Sequence, residues 1–206
     1  MTGVQTCALP IYENLTETDK FSREFFATVA TLNQNGQMDQ ATIDKLSSSL
    51  AEHIQNSPPR KVFLLSDIKI ISDNSVQAVK SYDNALDSIY TKYPVKGNAI
   101  NVLQKFMVDE NNVDVGILAE LDPIIGQTNK IIDALVKMSV PQSLAFLHLD
   151  FVNGLQRPME NLNDIKLYDT DVIIALSAIS QYEKNITILE SATNNLGNAI
   201  KQKLNN

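Results

Sequence analysis

Cysteine is almost missing from this chain of 206 residues: the only one is Cys7. Disulfides therefore do not hold the fold together, and cysteine usage does not distinguish one redox compartment from another. Clustered positive charge is also lacking. Lys and Arg number 17 against 24 Asp and Glu, for a net charge of −7, and the densest basic run is Arg60-Lys61. Neutralising a phosphate backbone or an anionic membrane surface needs clustered cations, so the composition argues against nucleic-acid and membrane-surface binding. No run approaches the ~18–20 apolar residues that span a bilayer. The longest, such as Val172-Ile173-Ile174-Ala175-Leu176, are the size of core segments.

The usual carriers of chemistry are equally sparse. Only two histidines occur, His53 and His148. Neither has a Glu three residues before it, the spacing that puts two di-metal ligands on one helical face. In His148-Leu149-Asp150 the two polar groups would stand roughly 200° apart on a helix, so they cannot form a dyad with each other. An isolated helical histidine favours an interhelical hydrogen bond over catalysis. There is no Gly-x-Ser-x-Gly elbow and no phosphate-cradling glycine loop. Asp109-Glu110 and Glu120 with Asp122 are carboxylate pairs, but periodicity places them at helix ends or wet faces. The stretch 109–114 lacks the glycine and closing glutamate of a calcium loop. Asn14-Leu15-Thr16 and Asn185-Ile186-Thr187 match the glycosylation triplet, which arises freely by chance in an Asn-rich chain. No catalytic, cofactor-binding or metal-ligating residue is assigned, and no cofactor is expected.

What is present is helical periodicity. Seven glycines, seven prolines and little apolar alternation predict helix almost throughout. The first helix follows Thr16 or Thr18 through Phe21, Phe25, Val29 and Leu32 to a stop at Asn35-Gly36. The second starts near Asp39, carries Ile43, Leu46, Leu50 and Ile54, and ends before Pro58-Pro59. Residues 60–72 read as an extended strap or short helix over the core. Ile68-Lys69-Ile70 alternates like a strand, but no second strand is evident to pair with it. Asp73 should cap a helix through Val76, Val79, Ala85-Leu86 and Ile89, ended by Pro94. Gly97 opens a shorter helix through Ile100, Leu103 and Phe106-Met107, broken by the polar residues 109–112. A helix over 113–138 contains Asp122-Pro123, read as an N-cap with proline behind it or as a kink. Pro141 restarts helix through Leu144, Leu147, Phe151 and Leu155, with a bend expected at Pro158.

The strongest pattern runs from about Thr170 to Leu204. Val172, Ile179, Ile186, Thr193 and Ile200 fill one position of a heptad, and Ala175, Tyr182, Leu189 and Leu196 fill the other. Such spacing predicts a long helix packed at a shallow angle, as in a bundle or coiled coil. At ~1.5 Å per residue it reaches on the order of 50 Å.

Two resemblances add to this. Met1-Thr2-Gly3-Val4-Gln5-Thr6-Cys7-Ala8-Leu9-Pro10-Ile11 resembles the translation of a common short-read sequencing adaptor with GTG as start codon. That implies an artefactual, irregular segment over 1–11 and a native N-terminus that is missing. Further on lie Ser72-Asp73-Asn74-Ser75, Tyr82 with Asn84-Ala85-Leu86, and Leu118-Ala119-Glu120-Leu121-Asp122-Pro123-Ile124. Val140-Pro141-x-Ser143-Leu144-Ala145-x-Leu147-His148-Leu149 follows, with Asn153. Through these residues the chain from Asp67 onward resembles a group of uncharacterised helical proteins of reduced-genome candidate bacterial lineages. Gln156-Arg157-Pro158 departs from the small apolar residues usual there. The resemblance implies an N-terminal membrane anchor followed by a helical body on the extracytoplasmic face, and no catalytic residue is carried over.

The expected fold class is therefore all-α: an elongated multi-helix bundle with a long C-terminal helix. It would form a single domain over 12–206, with a soft boundary at 58–72. The leading expectation for function is a non-enzymatic interaction or scaffold protein of the cell envelope with protein partners. The alternative is an extracytoplasmic ligand-binding or sensory bundle, favoured if Tyr82, Tyr90, Tyr93 or His148 converge on one cavity. An enzyme would need His148 beside a carboxylate from another helix in a cleft.

Overall fold

The long C-terminal helix is the axis of the structure. In this computed structural model, which describes residues 15–32, 39–55, 60–107 and 113–205, Val172–Leu204 forms one helix, here the last. The expected breaks at Asn35-Gly36, Pro58-Pro59 and 109–112, the pair Asp109-Glu110, and residues 1–11 lie outside the described residues. In chain order the α-helices are α1 (Glu17–Leu32), α2 (Gln40–Gln55), α3 (Val76–Lys92), α4 (Ala99–Phe106), α5 (Asp122–Lys137), α6 (Ala145–Ile165) and α7 (Val172–Leu204). Two short strands, β1 (Lys69–Ile71) and β2 (Ser139–Pro141), complete an all-α architecture with one minimal sheet.

Local chemistry sets most helix starts. Thr16 and Asp19 bond reciprocally at the head of α1: Asp19 N–H donates to the Thr16 hydroxyl at 2.9 Å, and Thr16 N–H donates to the Asp19 carboxylate at 3.1 Å. Asp39 accepts from Thr42 N–H at 2.9 Å and caps α2. α3 departs from expectation. Its cap is Ser75, which accepts from Ala78 N–H, while Asp73 closes a turn by accepting from Ser75 N–H. Asn98, one residue past Gly97, caps α4. Gly97 supplies the turn before it with φ +103°, which side-chain-bearing residues rarely adopt. The expected helix over 113–138 is split. Val115–Leu121 is a 3-10 turn, and α5 begins at Asp122 with Pro123 in its first turn, where a missing N–H costs nothing. Pro141 does not restart a helix: it closes β2, and α6 follows a 3-10 turn over Gln142–Leu144. α6 then runs through Pro158 as one helix, with that proline buried.

Along the seam between α6 and α7 the structure keeps both ends of the predicted heptad, burying Ala175, Leu196 and Ile200, and shifts its middle by one residue. The residues of α7 sealed from solvent along its middle are Ala178, Asn185 and Ala192, themselves seven apart, with Ala175 and Leu196 beside them. Ile179, Tyr182, Ile186 and Leu189 are only half-buried, and Thr193 is exposed. Small residues won the seam because α6 presents Gly154 there. A Cβ on Gly154 would stand 3.3 Å from the Leu189 Cα and 3.7 Å from the Ala192 Cβ, so the two backbones approach closely at this crossing. Hydrophobicity alone favours the isoleucine stripe; close approach selects the alanines.

Residues 60–72 are a strap held down by α6, extended except for a 3-10 turn over Leu65–Asp67. The Asn153 side chain takes both backbone groups of Phe63, accepting from its N–H at 2.8 Å and donating to its carbonyl at 3.0 Å. One and two turns further along α6, Gln156 donates to Glu160, Glu160 accepts from Lys61 N–H, and Asp164 pairs with Arg60. The strap then forms β1, which does have a partner: Lys69, Ile70 and Ile71 pair in parallel with Ser139, Val140 and Pro141. Sequence reading missed β2 because three residues between two helices carry no alternation. Asn74 reinforces the junction, its side-chain oxygen accepting from Ser143 N–H at 2.8 Å.

Candidate functional site

His148 projects inward from the second turn of α6 and is fully buried. Its Nε2 lies 3.2 Å from the Leu135 carbonyl, and its Nδ1 lies 2.8 Å from the Tyr82 hydroxyl. A carbonyl only accepts, so Nε2 carries the proton and Nδ1 accepts from Tyr82. Leu135 sits in the last turn of α5; its carbonyl already accepts from Met138 N–H at 3.2 Å, and the imidazole adds a second donor there. Burial drives the His148 pKa down to about 4, only partly opposed by the bond to the Leu135 carbonyl. Burial, with smaller contributions from Asp83 and Tyr90, pushes the Tyr82 phenol well above its ordinary value. The two rings also meet edge to face, with centroids 5.7 Å apart. This neutral triad ties α3, α5 and α6 together. Both ring nitrogens are occupied, so neither can take a proton from a substrate. The interhelical hydrogen-bonding role expected of His148 is the one it has, and its neighbour Asp150 faces solvent.

A second polar node joins the starts of α1 and α7. Asp171 caps α7 by accepting from Ile174 N–H at 3.3 Å, and the same carboxylate accepts from Glu17 N–H at 2.9 Å and Thr18 N–H at 3.2 Å. Thr18 reciprocates: its hydroxyl donates to Asp171 at 2.8 Å and accepts from Ile173 N–H at 3.1 Å. Two helix N-termini thus share one buried carboxylate, which suits the partial positive charge at both. Thr16 caps its own helix, and Thr18 caps another one more than 150 positions away in sequence. Deeper along the α6–α7 seam, Asn185 donates to Asn161 at 2.6 Å. This buried role also disposes of Asn185-Ile186-Thr187 as a glycosylation triplet in the folded chain.

His53 is elsewhere, between α1 and α2. Its Nδ1 lies 3.3 Å from Glu17, its Nε2 lies 3.6 Å from Glu24, and its ring meets Phe21 edge to face. Hydrogen bonds from Lys20 and then His53 hold the Glu17 carboxyl below its usual range. Glu120 pairs with Lys105 and Asp122 with Lys166, all on accessible surface, as expected of wet helix ends. Among the described residues, no group of three or more His, Cys, Asp or Glu is arranged to hold a metal ion. None of the described helices is long and apolar enough to cross a membrane.

A polar concavity of about 410 Å³ between α1 and α2 is lined by Glu24, Lys45, Ser48, Ser49, Glu52 and His53, and two apolar ones lie along α7, away from His148. One of about 460 Å³ is lined by Ile100, Leu103, Gln104 and Met107 of α4 and its C-cap with Ile179, Tyr182, Glu183 and Ile186 of α7. Another of about 500 Å³ is lined by Asp83, Leu86, Asp87 and Tyr90 of α3, Phe151 and Leu155 of α6, and Leu189, Thr193, Leu196, Gly197 and Ile200 of α7. Of the tyrosines and histidine considered as a ligand cluster, Tyr82 and His148 meet inside the core and Tyr90 alone lines the larger cavity. They do not converge on one site. Family models, curated proteins and solved structures return no match to this chain.

Proposed function

We propose that this chain is a non-enzymatic helical body that works by binding other proteins at the cell envelope. It is held on the outer face of the cytoplasmic membrane by a segment preceding these residues. One observation carries the interaction reading: the chain's most chemically versatile buried group, His148, has both ring nitrogens bonded inside the core, while Ile100 of α4 and its C-cap Met107 stay exposed beside a half-buried apolar stripe of α7. Apolar surface that a fold leaves uncovered beside a rigid scaffold is the usual mark of a protein contact. The envelope placement rests on the resemblance alone.

The residues that carry the resemblance support a structural reading of that likeness. Asn74 meets Ser143, Tyr82 meets His148, and Asn153 grips the Phe63 backbone. They hold helices and strap together and leave function to the surface. Recovering the intact gene tests the placement: a start codon upstream with no hydrophobic segment behind it removes the anchor. Thermal shift against a metabolite library tests the alternative. Saturating a true ligand at ~100 times its Kd adds about 2.7 kcal/mol, and such a shift would make this a ligand-binding bundle instead.

A further inference from the structure

The apolar residues that the seam rejected form a surface of their own. The half-buried Ile179, Tyr182, Ile186 and Leu189, with the exposed Thr193 among them, fall within about 100° of arc on α7. The two apolar cavities lie end to end along this stripe, the first walled by α4 and the second by α3 and α6. Together they cover 179 to 200, a groove of roughly 30 Å at the helical rise. At the first cavity Ile100 and Met107 are 48% and 51% exposed, large apolar side chains that nothing in the described fold covers. The walls carry charge of one sign only: Glu183 in the first cavity, Asp83 and Asp87 in the second, with no Lys or Arg lining either. A second copy of this chain, at net charge −7, is a poor occupant for an acidic groove.

Building on the interaction reading above, we propose that this groove docks a basic amphipathic helix of a partner protein. The partner's apolar stripe lies along α7, and its Lys and Arg face Asp83, Asp87 and Glu183. Apolar residues at i, i+3, i+4 and i+7 match a groove of this length, and the carboxylates select cationic flanks over anionic ones.

The probe is a fluorescein-labelled synthetic helix of about 20 residues, with leucines at that spacing and lysines on its flanks. It is titrated with the full chain and read by anisotropy. A scrambled peptide and a glutamate-for-lysine peptide serve as controls. The basic amphipathic peptide should bind at least roughly tenfold tighter than either control. Amide shifts in heteronuclear NMR should map to α4, α7 and the facing side of α3. The paired exposed substitutions Ile100→Gln and Met107→Gln, and separately Asp83→Lys with Asp87→Lys, should each weaken binding about tenfold without changing the melting curve. Equal affinity for all three peptides, no binding, shifts mapping elsewhere, or a dimer of this chain that buries Ile100 and Met107 would overturn it. Each of those outcomes removes this groove and leaves the interaction reading standing. A small metabolite copurifying with the chain in native mass spectrometry removes that reading instead.

Discussion

Lowering the pH should destabilise this protein through one buried imidazole, by an amount the structure sets. His148 is neutral in the fold, with a pKa of about 4 against 6.5 for a free histidine. Between those values the unfolded chain binds a proton that the folded chain refuses, so stability is full above pH 6.5 and falls as pH drops toward 4. Each unit of difference is worth about 1.4 kcal/mol, which amounts to about 1.7 kcal/mol by pH 5.25 and about 3 kcal/mol by pH 4. Below that the loss levels off, because both states are protonated. Many carboxylates titrate in the same window, so the measurement needs a reference. The double variant Tyr82→Phe/His148→Leu removes both partners of the buried bond together, which costs far less than orphaning one. The Leu135 carbonyl keeps its bond from Met138 N–H. Urea unfolding of both proteins by circular dichroism at pH 7.5, 6, 5 and 4 isolates the histidine, since His53 and every carboxylate cancel in the difference. The parent should lose about 3 kcal/mol more than the variant between pH 7.5 and pH 4. Parallel pH slopes, or an NMR titration of the His148 ring near 6.5 in the folded state, would refute the argument.

Gly154→Val should cost about 2 kcal/mol or more in chemical denaturation, because the new side chain meets the α7 backbone. Gly126→Ala, at a helical glycine with nothing within 4 Å of an added Cβ, should instead stabilise by roughly 0.5–1 kcal/mol. Asp171→Ala leaves the N–H groups of Glu17, Thr18 and Ile174 without their acceptor. A loss of about 1–2 kcal/mol is expected, with faster hydrogen exchange at residues 17–20; unchanged exchange there would mean that α1 is held by other contacts. Asn153→Ala should free the strap: the Phe63 amide loses its protection, at a cost of about 1–3 kcal/mol, while amides in the middle of α7 stay slow.

Helix positions and types were legible in the sequence because their causes are local. Thr16 and Asp39 cap helices as their side chains suggest, Asp73 marks the start of α3 only to within two residues, and the apolar spacing along 172–204 marks a long helix wherever it packs. The small sheet was hidden, because β1 and β2 stabilise each other across nearly seventy residues and neither has room to show alternation. His148 could be assigned to an interhelical bond, but nothing in the sequence named Tyr82 and Leu135 as the partners. The dual use of Asp171 and the grip of Asn153 on Phe63 left no signal either, since each joins residues ninety or more positions apart.

The heptad on α7 shows most clearly where the boundary lies. Period is a property of one helix, so the sequence by itself determined that α7 would be long, amphipathic and packed along its length. Which of two adjacent stripes would face inward depended on the approach of a second backbone. Gly154 brings α6 close to α7 at Leu189 and Ala192, and along the middle of the seam alanine and asparagine fill the space. That choice left Ile179, Tyr182 and Ile186 half-uncovered beside α4, and only the tertiary structure decided it, because steric fit between two helices is not written in either one alone.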